Sequence, residues 1–326
     1  MDQRKTQLDV WVSAQLGLPV GKTLDGTSAS SDASFRRYFR YQVGERSVIA
    51  MDAPPPQEDC RPFVRIGRQL AAAGIAVPTI LADDIERGFL LLSDLGTQPL
   101  IDVIDESNAD DFFQQAIATL VQIQQVSDAE LPVYDEALLR RELALFPDWY
   151  LAKECGVTLS AAERADLDDT FDRLVAAALA QPRVFVHRDY MPRNLMVGPP
   201  LAVLDFQDAV SGPISYDITC LFKDAFVSWP QQRVTLWLRQ YWQQAQKTGL
   251  PVPADFATFC RASDWIGIHR HLKVIGIFAR ICHRDGKPRY LRDVPRFFEY
   301  LIPVVARYPE LKPLGDLLGR YRSVTR

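Results

Sequence analysis

The sequence predicts an α+β chain of two unequal parts: a small lobe with a mixed, antiparallel sheet, then a larger and mainly helical lobe. Three observations predict it. FRRYFRYQV (35–43) alternates, GER (44–46) makes a turn and SVIAM (47–51) follows as an apolar run, which together read as a β-hairpin. From about residue 100 the apolar spacing changes to threes and fours, with Phe113, Ile117, Leu120 and Gln124 on one stripe. A short β-rich insert, 183–209, then separates that stretch from a second helical block over 230–326. The change of texture falls near 95–100, so the expected lobes are 1–95 and 96–326, with a hinge about 93–99.

Each element has a local reason. Leu8, Trp11, Val12 and Leu16 are spaced for a helix, which Gly17 and Pro19 stop. TSASSDAS (27–34) links a first strand to the hairpin, and Pro54-Pro55-Pro56 ends the hairpin's second strand. A helix over 58–73 follows, closed by Gly74, and GFLLLSDLG (88–96) reads as a buried strand running into a connector. Ser107 opens the first helix of the large lobe. Ser160 and Glu163 form a capping box ahead of Leu167, Phe171, Leu174 and Ala178. In the insert, 184–186 and 201–204 are apolar runs that read as two strands, presenting the loop between them and Asp205 at one edge. A helix over about 260–283 puts His269, Lys273, Gly276, Arg280 and His283 on one face.

Composition excludes several classes. The 326 residues hold 37 Lys and Arg against 41 Asp and Glu, a net charge of −4, with 48% apolar and 24% charged residues. A mildly acidic chain does not suit sequence-independent nucleic-acid binding. No apolar stretch approaches the roughly 18 residues of a membrane span, and the N-terminus lacks the apolar core of a secretory signal. Five cysteines without a CxxC suggest neither a disulfide framework nor a structural zinc site, and His269-x-His271 lacks a third ligand nearby. A cytoplasmic protein, monomeric and free of membrane and nucleic acid, is expected.

The chemistry is concentrated in the insert. His187-Arg188-Asp189-Tyr190-Met191-Pro192-Arg193-Asn194 is followed eleven residues later by Asp205-Phe206-Gln207. Phosphoryl transfer from ATP requires a carboxylate to orient the acceptor hydroxyl, and oxygen ligands holding Mg²⁺ against the triphosphate. Asp189 suits the first task, and Asn194 and Asp205 are the hard oxygen donors that suit the second. His187 reads as a buried histidine that holds the loop.

On these residues the chain resembles the kinase-like superfamily, and within it the aminoglycoside phosphotransferase family, which includes choline and sugar kinases. The resemblance covers nearly the whole chain and implies a protein-kinase-like two-lobed fold. It implies that the connector Ser93-Asp94-Leu95 lines the adenine through its backbone, and that Asp217, in Gly212-Pro213-x-x-x-Asp217, braces the catalytic loop. Protein kinases fit less well, since DFQ replaces DFG, and neither a following APE nor a preceding G-x-G-x-x-G is present. SDASFRRYFR (31–40), IAMDAPP (49–55), HRDYMPRNLM (187–196), LDFQDAVSGPISYD (204–217) and RHLKVIGIFARICHRDGKPRYL (270–291) are similar to one subgroup, the bacterial anomeric kinases of N-acetylmuramate and N-acetylglucosamine. That subgroup serves cell-wall recycling. The similarity implies transfer of the ATP γ-phosphate to the C1 hydroxyl of an amino sugar, giving an α-1-phosphate.

Two departures from the kinase pattern stand out. Met51 occupies the place of the strand lysine that contacts the α- and β-phosphates, leaving Arg36 and Arg37 as the nearest replacement cations. Without that lysine, the usual role of a helix acid at Glu58 or Asp59 is open. The phosphate-side loop, with Ser31, Asp32 and Ser34, has small side chains and backbone N–H groups where glycines are usual. The basic face of His269, Lys273 and Arg280 is expected to receive an anionic sugar, since residues 261–326 hold 14 Lys and Arg against 6 Asp and Glu. Asp208 is placed to reach a sugar hydroxyl. A kinase of aminoglycosides or other small alcohols, and a non-catalytic nucleotide-binding scaffold, are the alternatives.

Overall fold

The computed structural model describes residues 2–19, 21–29 and 35–322; Ser31, Asp32 and Ser34, expected at the phosphates, lie outside the described residues. The chain separates into two compact units, one formed by 1–103 with 193–208 and the other by 104–192 with 209–326.

The first unit is built on an antiparallel sheet. Its strands are β1 (Thr27–Ser28), β2 (Arg37–Val43), β3 (Arg46–Asp52), β4 (Ile80–Asp84) and β5 (Phe89–Ser93), in the order β1-β2-β3-β5-β4. The hairpin over 35–51 is present as expected, whereas β4 has no alternation strong enough to announce it in the sequence. Register fixes which side chains share a face: Tyr38 pairs with Met51, Arg40 with Ile49, and Ile49 with Leu92. On the other face Tyr41, Ala50, Phe89 and Leu91 pack on Leu8, Trp11 and Val12 of α1 (Gln3–Gln15). Asp2 caps α1, accepting from the Lys5 N–H at 3.0 Å, so the helix starts five residues before its apolar stripe. Helix α2 (Arg61–Ala72) buries Phe63, Ile66 and Leu70. Phe63 stacks on Phe206 at 4.8 Å, which anchors the Asp205-Phe206-Gln207 segment to this unit.

The second unit is mainly helical. It contains α3 (Ala109–Gln124), α4 (Glu136–Leu143), α5 (Ala161–Leu179), α6 (Tyr216–Phe222), α7 (Gln231–Lys247), α8 (Phe256–Asp285), α9 (Val294–Val305) and α10 (Lys312–Tyr321). The capping box at α5 is made: Ser160 N–H donates to Glu163 Oε2 at 2.8 Å and Glu163 N–H to Ser160 Oγ at 3.3 Å. Strands Arg183–Val186 and Val210–Pro213 pair antiparallel and deliver the chain directly to His187. A π-helical turn (Phe146–Glu154) runs along α8, and a Cβ on Gly276 would meet the Leu145 carbonyl carbon at 2.3 Å. Glycine is therefore required there for close backbone approach. The face expected to receive an anionic sugar is therefore a packing face at Gly276. Among the described residues no helix is long and apolar enough to cross a membrane.

Candidate active site

Within the first unit the inner face of the sheet bounds a cavity of about 400 Å³. Ile49, Leu92, Met196 and Leu204 give it apolar walls, and the connector 93–97 closes one side. A volume of this order, with apolar walls and polar groups from the connector and from Arg193, Asn194 and Asp205, suits a nucleoside carrying phosphates. The connector is held by Asp94, whose carboxylate takes Arg40 Nε at 2.6 Å, Arg40 Nη2 at 3.0 Å and its own Gly96 N–H at 2.9 Å. Burial pushes the Asp94 pKa up, but the Arg40, Ser47 and Gly96 donors outweigh it and hold the carboxyl below the usual range. Asp94 and Ser93, whose Oγ accepts from Thr79 N–H at 2.8 Å, therefore shape the connector with their side chains. The Leu95 N–H has no hydrogen-bond partner among the described residues and lies on the cavity wall.

Asn194 and Asp205 line the same cavity. The Leu204 N–H donates to the Asn194 carbonyl at 2.9 Å, which sets the two side by side. Asp205 is exposed and held at φ 63°, a backbone region that Asp tolerates better than most residues. Gln207 Nε2 donates to Asp205 Oδ1 at 2.8 Å and to the exposed Asp208 at 3.3 Å. An amide and a carboxylate oxygen brought together at an open cavity edge fit a hard divalent cation.

The two arginines offered as replacements for the missing lysine part company. Arg37 lies on the α1 side of β2, with Nη2 2.6 Å from the fully buried Asp52 and Nη1 on Asp2. Held there with Asp2 and with the Asp52 that Arg4 also binds, it lies on the face away from the cavity, which corrects the expectation that it serves the triphosphate. Arg36 instead pairs with Glu58 at 2.9 Å, both side chains largely buried. Glu58, read as a helix acid without its lysine, has an arginine partner. Met51 is fully buried across from Tyr38 and carries no charge to the cavity.

The second unit holds most of the loop expected to be catalytic, residues 187–192. Asp217 is fully buried and accepts both the His187 N–H at 2.7 Å and the Arg188 N–H at 2.9 Å. Burial pushes the Asp217 pKa up to about 6, against these two donors and the nearby His187. His187 is itself buried, and its Nδ1 accepts the Asp189 N–H at 3.3 Å, so both residues fix the loop that presents Asp189. Arg188 sits at φ 77°, strain that persists because its surroundings over-determine it. Its guanidinium reaches Glu142 of α4 and lies 5.7 Å from the Tyr134 ring.

Glu142, which no sequence pattern singled out, is the centre of a buried charge cluster. It binds Arg188, Lys273 Nζ at 2.9 Å and the Tyr134 hydroxyl, while Lys273 also donates to Tyr216 at 3.3 Å. Burial pushes the Glu142 pKa up, but Lys273 and Arg188 reverse it and hold it at about 2. His269 is fully buried with Nε2 3.1 Å from the Leu139 carbonyl, and burial pulls its pKa down to about 4. The expected basic surface is therefore corrected at two of its members: His269 is neutral and enclosed, and Lys273 is spent on Glu142. Arg280 is half-buried, and His283 is 2.7 Å from Glu154.

Comparison with known proteins shows the family of the chain. Residues 25–256 match the family model described as the phosphotransferase enzyme family. A Pseudomonas putida protein named N-acetylmuramate/N-acetylglucosamine kinase is 58% identical over 337 residues, covering 100% of this chain and 98% of its own. A Pseudomonas aeruginosa protein of the same name is 59% identical over 98% of this chain and 97% of its own. An ADP-bound aminoglycoside phosphotransferase structure superposes with a TM-score of 0.61 at 12% identity, covering 92% of this chain and 98% of that one, which shows the shared fold. With a family match over most of its length and full-length relatives well above 30% identity, the chain belongs to the phosphotransferase enzyme family.

Proposed function

We propose that this protein transfers the γ-phosphoryl group of ATP to the anomeric hydroxyl of N-acetylmuramate and N-acetylglucosamine. One observation carries the choice of acceptor: the full-length identity of 58% and 59% to kinases named for these two sugars. The Asp189, Asn194 and Asp205 trio supports the chemistry.

In this reading Asp189 accepts the hydrogen bond of the C1 hydroxyl and aims its oxygen at the γ-phosphorus. As the new P–O bond forms, the bond to the β–γ bridging oxygen breaks, ADP departs, and the hydroxyl proton passes to the Asp189 carboxylate. His187 and Asp217 hold the loop still, so the reacting oxygen is positioned before the barrier is met. Asn194 and Asp205 would hold Mg²⁺, which when bound neutralises charge on the triphosphate. The Leu95 N–H faces the base, and Arg36, pinned by Glu58, steadies the phosphates. The nucleotide lobe (1–95) and the catalytic lobe (96–326) divide the work, in a cytoplasmic monomer that returns cell-wall amino sugars to use.

A panel of acceptors read out by ADP release tests the assignment. Turnover on both amino sugars, with none on kanamycin-type aminoglycosides or choline, is expected. Turnover on an aminoglycoside but neither sugar would replace it with the antibiotic-kinase reading. ATP·Mg that raises the melting temperature with no acceptor phosphorylated would leave only a nucleotide-binding scaffold.

A further inference from the structure

Three buried or largely buried cations of the second unit, Arg188, Lys223 and Lys273, have a carboxylate partner. Lys273 and Arg188 share Glu142. Arg270, on α8 one turn before Lys273, is 2% exposed. Its Nη1 donates to the Lys223 carbonyl at 3.1 Å, and among the described residues no carboxylate lies within ion-pair distance of it. Lys223, which that same carbonyl belongs to, has Asp264 at 3.3 Å. The groups that influence Arg270 electrostatically are Cys220, Tyr216, Asp189 and Asp224, which offset the cost of its burial from a distance without pairing with it.

Beyond the Lys223 carbonyl the Arg270 guanidinium has no hydrogen-bond acceptor among the described residues, so donors of its fork remain for an anion. Its fork matches a carboxylate, where a charge-assisted pair forms in both directions. N-Acetylmuramate differs from N-acetylglucosamine by a carboxyl-bearing ether on C3, so one of the two proposed acceptors brings such a group. We infer that Arg270 is the counter-ion for the acceptor's carboxylate and sets the preference for the acidic sugar over its neutral analogues. The inference rests on the amino-sugar reading above. Arg280 is a separate group: ten residues further along α8, it lies about 15 Å from Arg270 along the axis.

The test is steady-state kinetics on N-acetylmuramate, its carboxamide and N-acetylglucosamine, with wild type, Arg270→Gln and Arg270→Lys. The wild type is expected to favour the acid over the carboxamide by about tenfold or more in kcat/KM, the scale of a hydrogen bond between charged groups. Arg270→Gln should collapse that preference to about twofold or less, and Arg270→Lys should keep part of it. A wild type indifferent to acid and carboxamide overturns the inference even if neither variant folds. So does an Arg270→Gln variant that keeps the wild-type preference, or one that loses equally on all three sugars. A wild type inactive on every sugar refutes the kinase reading instead, and the two failures are therefore distinct.

Discussion

Glu142→Gln is the substitution whose cost can be worked from the structure. The carboxylate is 5% exposed and shared by Lys273 Nζ at 2.9 Å, Arg188 and the Tyr134 hydroxyl. Glutamine keeps the shape and one acceptor but leaves two buried cations facing each other. Breaking a buried ion pair from one side costs about 3–5 kcal/mol. The depressed pKa, which has the same two cations as its cause, gives a figure of the same order: a fall from 4.5 to about 2 corresponds to about 3 kcal/mol. A loss of this size should lower the melting temperature by roughly 4–7 °C for a chain of 326 residues. Because the folded pKa is depressed, the contribution is fully present above pH 4.5 and fades as pH falls toward 2, so the variant should lose that part of the acid-unfolding slope. Urea melts at pH 7 measure the cost directly. Adding Lys273→Met should recover part of it, since one stranded charge is removed. A Glu142→Gln cost below about 1 kcal/mol, or no recovery in the double variant, would refute the charge-cluster account.

Other consequences are open to the same kind of measurement. Arg36→Met should lower kcat/KM for ATP by about 10–100-fold, the value of hydrogen bonds to a charged group, while Arg37→Met should act chiefly on stability, leaving the buried Asp52 with Arg4 as its remaining arginine partner; equal ATP effects from both would remove the distinction drawn between the two faces of β2. His269 has its folded pKa lowered from 6.5 to about 4. The folded state then binds fewer protons than the unfolded one, so its contribution is present above pH 6.5 and lost as pH falls toward 4. That loss amounts to about 3 kcal/mol. The difference in unfolding free energy between wild type and His269→Gln should change with pH across that window, and parallel curves would contradict it.

Much of this architecture was legible in the sequence because its causes are local. Alternation over 35–43 marks the hairpin, and the same period-two logic separates Arg36 and Tyr38 from Arg37 once a partner strand fixes the register. The capping box at Ser160 and Glu163 depends on residues three apart and formed as read. The short spacing from His187 to Asn194 to Asp205 exposed the reaction type. What stayed hidden depends on distance along the chain. Glu142 meets Lys273 across more than a hundred residues, so the helix wheel of α8 showed a basic face without the acid that covers it. The π-helical turn that buries this face has no periodicity of its own. Arg270 was passed over for the opposite reason: flanked by His269 and His271, it gave no sign that it would be buried with no carboxylate in ion-pair distance among the described residues.

Phosphoryl transfer directed by Asp189 is tested most directly by following the product. With ATP, Mg²⁺ and N-acetylmuramate, ³¹P NMR of the wild-type reaction should show a sugar 1-phosphate rising in step with ADP. Asp189→Asn should retain its fold and ATP binding but lose roughly 10³-fold or more in kcat, since it removes the carboxylate that both orients the hydroxyl and takes its proton. Full turnover by Asp189→Asn, or phosphate at any position other than C1, would contradict the account.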